Sequence, residues 1–519
     1  MSAPGPYAAA RRTLSTGQRV GLAAVGVLLV AGVTLATTPT LIAVVAVLSA
    51  AYVAAFAERL LLLHRAIHDP GLIVVDPDDA RACPDADLPL YTVLVPAYQE
   101  PEVLPHLLAA IGRLEYPADR LEVLLLLEED DEATYAAARA AASPPYLRVV
   151  RVPYSEPRTK PKACNIGLEI ARGDFVTIFD AEDRPEPLQL RRAVAAFRRL
   201  PPSVACLQAK LGFFNHKQNI LTQWFTAEYA MWFEHMLPGL VRQDAPVPLG
   251  GTSNHFRTEV LRELGGWDPF NVTEDADLGV RLYRRGYRTL ILDSVTLEEA
   301  NSDAINWLKQ RSRWYKGYLQ TWLVHSRQPL RRCREMGLVT YLRFNLFVGG
   351  TPLLAIINPI FWALTLMWFV GRVGFVHALF PAWLLYASLV CLVAGNFTFV
   401  YVNVLAARAT GLPGLVFRSV LSLAYWVLMS LAAAKAMVQL VLAPSFWEKT
   451  THGLGATPLP PPSDPLSDDV VPAAAVATAT AATAAVAAAV EGPTIDRPVA
   501  AAPSAAGTPI ALETGSVHA

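Results

Sequence analysis

Several short stretches carry residue types that could do chemistry. Residues 180–183 read DAED and residues 128–131 read EEDD, two carboxylate clusters in one chain. Read as following two neighbouring strands, these clusters would repel one another unless something positive sits between them, and hard divalent cations take carboxylate oxygens and bridge them to phosphates. A plainer use, acidic capping of the following helices, explains one cluster better than two. Residues 158–162, RTKPK, place cations where a helix begins, an unfavourable position unless an anion lies there. In the TED of 273–275, Thr273 can cap a helix, whereas Asp275 is not needed for the cap and could serve as a general base. The pair Gly250-Gly251 permits close backbone approach to a ligand. In QRSRWYKG (310–317) a helical period puts Gln310, Arg313, Trp314 and Gly317 on one face. An amide, a guanidinium and a flat indole together suit a phosphate and a sugar. An interfacial helix with Trp at headgroup depth would use the same residues.

Those groups need elements to place them. The runs 91–97 (YTVLVPA), 121–127 (LEVLLLL), 146–152 and 174–179 predict strands. The first, second and fourth read as buried on both faces, as in a parallel sheet. Helical patterns at 102–114, 131–142 and 161–172 lie between them. The order βαβαβαβ predicts a doubly wound α/β sheet with ligands outside the carboxyl ends of its strands. Tyr98 and Glu100, the 128–131 cluster and the 180–183 cluster all follow such ends.

The rest of the chain is of another kind. Of 519 residues 53% are hydrophobic and 17% charged, and the net charge of −1 offers no basic face for nucleic acid. Residues 20–35 and 41–57 approach the length of a membrane span and form a hairpin through the link TTPT. Arg11, Arg12 and Arg19 precede it and Arg59 and Arg65 follow, which predicts both ends on the cytoplasmic side. Further apolar stretches cover 346–370, 379–406 and 415–443; the last holds Arg418, Lys435 and Gln439 and is expected to lie along the interface. The five cysteines are dispersed, without a metal-site or disulfide spacing. The expected organisation is a cytosolic N-terminus (1–19), a transmembrane hairpin (20–66) and a cytosolic α/β domain ending in an interfacial helix (70–330). Transmembrane and interfacial helices follow (331–455), then a disordered Ala/Pro-rich tail (456–519).

The ordered set of an acidic pair, an Asp-x-acid, TED and QxxRW resembles the processive family 2 glycosyltransferases, membrane enzymes of the cellulose, chitin and hyaluronan synthase type. The similarity runs from the first hairpin to about residue 450. It implies a GT-A (Rossmann-like) catalytic domain, cytosolic and inserted between transmembrane helices. It also implies that Tyr98, with Glu100 beside it, stacks on a uracil ring. Glu128 and Glu129 stand where the family usually has two aspartates at the base, and Lys162 and Asn165 match a segment near the diphosphate. Asp180 and Glu182 match the metal-binding DxD, with Mg²⁺ or Mn²⁺ as the cofactor and Asp183 as an added candidate ligand. Asp275 matches the catalytic base, Glu274 adjoins it, and PLGGTS lies where the acceptor sugar is cradled. Gln310, Arg311 and Arg313 match residues at the diphosphate, and Trp314 the indole beneath the acceptor. FWEKTTHG (446–453) is similar to the gating loop, with Lys449 as its basic residue. The expectation is an inverting, processive transferase of the cell membrane that uses UDP-glucose to extend a β-linked polysaccharide and pass it outward to export partners. The alternatives are transfer of one sugar to a lipid carrier, or a nucleotide-binding transporter without catalysis.

Overall fold

The computed structural model describes residues 7–140, 144–409 and 412–449. The expected tail (456–519) and the second half of the 446–453 loop lie outside them. Among the described residues nine strands form one sheet: β1 (Leu72–Ile73), β2 (Tyr91–Ala97), β3 (Leu121–Glu128), β4 (Leu147–Val152), β5 (Phe175–Ile178), β6 (Arg184–Pro185), β7 (Val204–Phe213), β8 (Asn254–Arg257) and β9 (Arg288–Glu298). The order is β1-β9-β7-β8-β5-β2-β3-β4, with β6 on β9. The unbroken apolar run of β3 is buried at every position, as expected of an inner parallel strand, while β4 at the sheet edge is only partly buried.

β2 is parallel to both β3 and β5. The chain therefore winds outward from β2 in both directions, and the crevice at its carboxyl end is a topological switch point. One expectation needs correcting here. The acidic runs after β3 and β5 are not on neighbouring strands, because β2 lies between them. The sheet is also mixed: β8 runs antiparallel to β5 and β7.

Two long helices carry the rest of the site. Glu274–Arg284 begins at TED, and Ala304–His325 contains the QRSRWYKG run. They meet at Gly317, where an added Cβ would lie 2.3 Å from Thr273 Oγ1. Only glycine allows that approach, so the two motifs are locked face to face. Asp303 starts the longer helix by accepting from Asn306 N at 2.7 Å.

Among the described residues five helices are long and apolar enough to cross a membrane: Thr16–Leu35, Thr37–His68, Leu338–Gly371, Ala382–Arg408 and Ala424–Leu442. A Ser15/Gln18 capping box starts the first. The hairpin bends at Ala36 alone, and the TTPT expected as the link is the first turn of the second helix, where proline is tolerated. The fifth helix touches the α/β domain at both ends. Tyr425 OH donates to Glu228 at 2.6 Å, and beyond the other end Lys316 Nζ donates to the carbonyl of Phe446 at 2.6 Å.

Candidate active site

A cavity of about 510 Å³ opens at the switch point, a size typical of small-molecule sites. At one end stand Tyr98, Glu100 and Glu128, beyond β2 and β3. Gln99 there has φ 54°, a left-handed turn held by its N–H donating to Asp131. Asp131 also accepts from Thr134 N at 3.1 Å, so this member of the acidic run is a brace and a cap. The guanidinium of Arg158 and the ammonium of Lys449 each lie 5.3 Å from the Tyr98 ring centre. Lys449 also donates to the Tyr98 carbonyl. The segment after the fifth helix thus reaches the first end of the cavity, and Trp447 and Lys449 both line it.

Asp180, Glu182, Glu274 and Asp275 line the middle. Lys160 Nζ is ion-paired with Asp180 and donates to Gly251 O at 2.8 Å. Burial pulls the Lys160 ammonium down, yet Asp180 and Glu274 outweigh it and the group is held well above its ordinary value. Burial, with Asp275 adding, raises Glu274 to about 8. Burial raises Asp275 to about 6, opposed by the Ala276 N–H and Lys160. A carboxylate poised near neutrality inside a cavity is what a general base requires. Gly251 keeps the space beside it open, since an added Cβ would sit 3.6 Å from Asp275 Oδ2.

Gln310, Arg313 and Trp314 line the far end with Tyr229, Tyr318 and Thr351, the last from a membrane-length helix. Trp314 stacks on Tyr229 with ring centres 6.1 Å apart. Arg313 is covered by Trp447, 4.5 Å from the ring centre. Arg313 Nε, Gln310 Oε1 and Thr273 Oγ1 are buried without a hydrogen-bond partner. Unsatisfied buried polar atoms gathered at one cavity wall are costly unless a ligand meets them.

Four residues expected at the site are placed differently. Lys162 is turned away, its Nζ donating to Glu128 at 2.8 Å and to the Pro153 carbonyl at 3.2 Å. The lysine facing the acidic centre is Lys160. Asn165 brackets a loop, donating to Trp267 O at 2.8 Å and accepting from Trp267 N at 2.9 Å. Asp183 is 1% exposed and accepts from Asp180 N at 2.7 Å and from Thr252 Oγ1, so it shapes the DAED turn from within. Glu129 is exposed, and only its neighbour Glu128 lines the cavity. Arg311 does line it, but both terminal nitrogens bind Glu228, at 2.9 and 2.6 Å, and three aromatic rings cover it. Lys160 of the RTKPK run and Trp447 of the FWEKTTHG run also face the cavity, as do Glu228, Tyr229 and Glu298, which the sequence reading passed over. Glu298 ends β9, and burial together with Asp183 and Asp180 holds its carboxyl well above the usual range.

Among the described residues no three His, Cys, Asp or Glu side chains group closely enough to cage a metal. Asp180 and Glu182 are hard oxygen donors lining the cavity, and Asp180 already draws the Lys160 ammonium to itself. That fits an ion of the Mg²⁺ type, which takes one or two carboxylates and completes its shell with phosphates and water.

Residues 89–317 match the model of the family described as "Glycosyltransferase like family 2". The chain is similar to the beta-monoglucosyldiacylglycerol synthase of Synechocystis sp., at 28% identity over 49% of this chain and 54% of that protein. It is also similar to the probable glucomannan 4-beta-mannosyltransferase 7 of Oryza sativa, at 28% identity over 44% of this chain and 41% of that one. The chain thus spans less than two thirds of the length of these relatives. A solved mannosyltransferase of Pyrobaculum calidifontis, in complex with GDP-Man and Mn²⁺, matches at 20% identity and a TM-score of 0.47, covering 77% of this chain and 99% of that one. Residues 89–317 are thus similar to glycosyltransferase family 2, and the mixed sheet that they build, with its cavity at the switch point, is of GT-A-like fold.

Proposed function

We propose that the protein is an inverting hexosyltransferase that takes a sugar from UDP-glucose or a related UDP-sugar and extends a β-linked polysaccharide at the membrane. One observation carries the reading: a base near neutrality, an acidic pair suited to a cation, a half-buried arginine and an indole line one cavity that reaches a membrane-length helix. The Tyr98 ring and Glu128 would receive the base of the nucleotide. The acceptor's last sugar would rest its C–H face on Trp314. Asp275 takes the proton of the acceptor hydroxyl. The oxygen then attacks the anomeric carbon from the face opposite the diphosphate, and the bond to UDP breaks with inversion. Lys160 and Arg313 meet the charge that develops on the leaving diphosphate. A divalent ion held by Asp180 and Glu182 would neutralise the same diphosphate when bound.

In this reading the N-terminal hairpin, the third and the fourth helices cross a bacterial plasma membrane and the catalytic domain faces the cytoplasm. The fifth helix lies along the interface, which returns Phe446–Lys449 to the cavity as its gate. A second reading, transfer of one sugar to a lipid, is favoured by Thr351 at the cavity wall and by the similarity to a glycolipid synthase.

The test is purified protein in lipid with Mg²⁺ or Mn²⁺ and a panel of radiolabelled nucleotide sugars. Label in high-molecular-mass product from one donor supports polymer synthesis. Label confined to a small lipid-soluble product moves the assignment to the second reading, and no turnover of any donor refutes both.

A further inference from the structure

The residues before the first membrane helix are built into the back of the catalytic domain. Ala10 is 1% exposed, and its N–H donates to Asp268 Oδ2 at 2.7 Å. Tyr7 N donates to Gly265 O at 3.2 Å, and the Tyr7 ring lies 4.3 Å from the Arg281 guanidinium. Arg327 donates to the carbonyls of Ala9 and Arg12. These contacts converge on the helix that begins at TED. Arg281 Nε donates to Asp277 Oδ2 at 2.7 Å, and its terminal nitrogens donate to Leu264 O and Gly266 O. Asp277 Oδ1 accepts from His325 Nε2 at 2.9 Å, at the end of the QRSRWYKG helix. Arg284 donates to His325 Nδ1, so the imidazole is neutral with its proton on Nε2. Asp277 stands two residues after Asp275, about 200° round the helix axis. The helix shows Asp275 to the cavity and Asp277 with Arg281 to the N-terminal segment.

We propose that Tyr7–Arg12 is a positioning brace: through Asp268, Arg281 and Asp277 it fixes the rotation and depth of the helix that presents Asp275. The proposal rests on the reading of Asp275 as the base. Without the brace Asp268 loses a buried donor, Arg281 loses its aromatic cover, and water reaches the back of the helix. The brace adjoins the first membrane-length helix, where Gln18 Nε2 donates to Leu323 O at 2.8 Å, so it also ties that helix to the site.

Three variants of the full-length protein in lipid test this. Ala10→Pro removes the N–H given to Asp268, Tyr7→Ala removes the ring, and Tyr7→Phe keeps it. Hydrogen–deuterium exchange over 274–284 and, separately, kcat and donor KM are read for each. Ala10→Pro and Tyr7→Ala are expected to raise exchange over 274–284 at least tenfold and lower kcat about tenfold with donor KM within twofold. Tyr7→Phe is expected to behave as wild type. Unchanged exchange in Ala10→Pro and Tyr7→Ala overturns the brace, as does a general rise across the whole domain, which marks plain destabilisation. If wild type turns over no donor, the assignment of function falls, and the exchange result still decides the brace.

Discussion

Gly317→Ala is the most discriminating perturbation of the site. The added Cβ would stand 2.3 Å from Thr273 Oγ1, 2.5 Å from Cγ2 and 2.7 Å from Cβ, where ordinary contact begins at 3.4 Å. Thr273 would have to retreat by about 1 Å, taking Glu274 and Asp275 with it. Overpacking of this kind costs about 1–3 kcal/mol. Alanine in a helix interior returns about 1 kcal/mol over glycine. The net destabilisation is therefore about 0–2 kcal/mol, a fall of only a few degrees in Tm. A displacement of about 1 Å at a catalytic group costs about a hundredfold in rate. The expected result is near-normal thermal unfolding and nucleotide-sugar binding with turnover down about a hundredfold. Thr273→Ala removes two of the three clashing atoms, so Gly317→Ala/Thr273→Ala should regain part of the rate. Full activity in the single variant, or a double variant no better than it, would refute the claim that this contact sets the position of Asp275.

Asp275→Asn should fold and bind donor normally yet lose about 10²–10⁴ in turnover, read by product counts beside a binding isotherm. Because burial raises Asp275 to about 6 and Glu274 to about 8, both above their ordinary values, their ionised forms are disfavoured by the fold. The rate should therefore drop as pH falls through about 6, while these two groups make the domain less stable as pH rises from about 4 to 8, measurable by unfolding across that range. Glu228→Gln breaks the bidentate partner of buried Arg311 and should destabilise by about 3 kcal/mol, read from Tm in detergent. Trp314→Ala should raise the acceptor KM and leave donor binding unchanged.

The carboxyl ends of β2, β3 and β5 were legible because unbroken apolar runs of strand length have few other uses. What could not be read was which neighbouring side chain faces the cavity. Lys160 and Lys162 are two positions apart on one helical turn and point to opposite sides, and only the packed sheet decides between them. Asp183 looked like a ligand beside Glu182 until Thr252, from a segment 69 residues away, drew it inward. Glu298 was passed over because β9 was not read as a strand, although RTLILDSVTLE carries the apolar enrichment to suggest one. Gly317 gave no signal alone, since its partner Thr273 is distant in sequence.

The contact between Lys449 and the Tyr98 carbonyl spans 351 positions of chain. During synthesis at about 5–20 residues per second, about 20–70 s separate the appearance of these two residues. In that interval two membrane-length helices and the fifth helix must be laid down. The catalytic domain can fold early, but its cavity lacks its last wall until translation has passed every hydrophobic segment. Under the proposed function, a nascent chain is thus held idle until its membrane part exists.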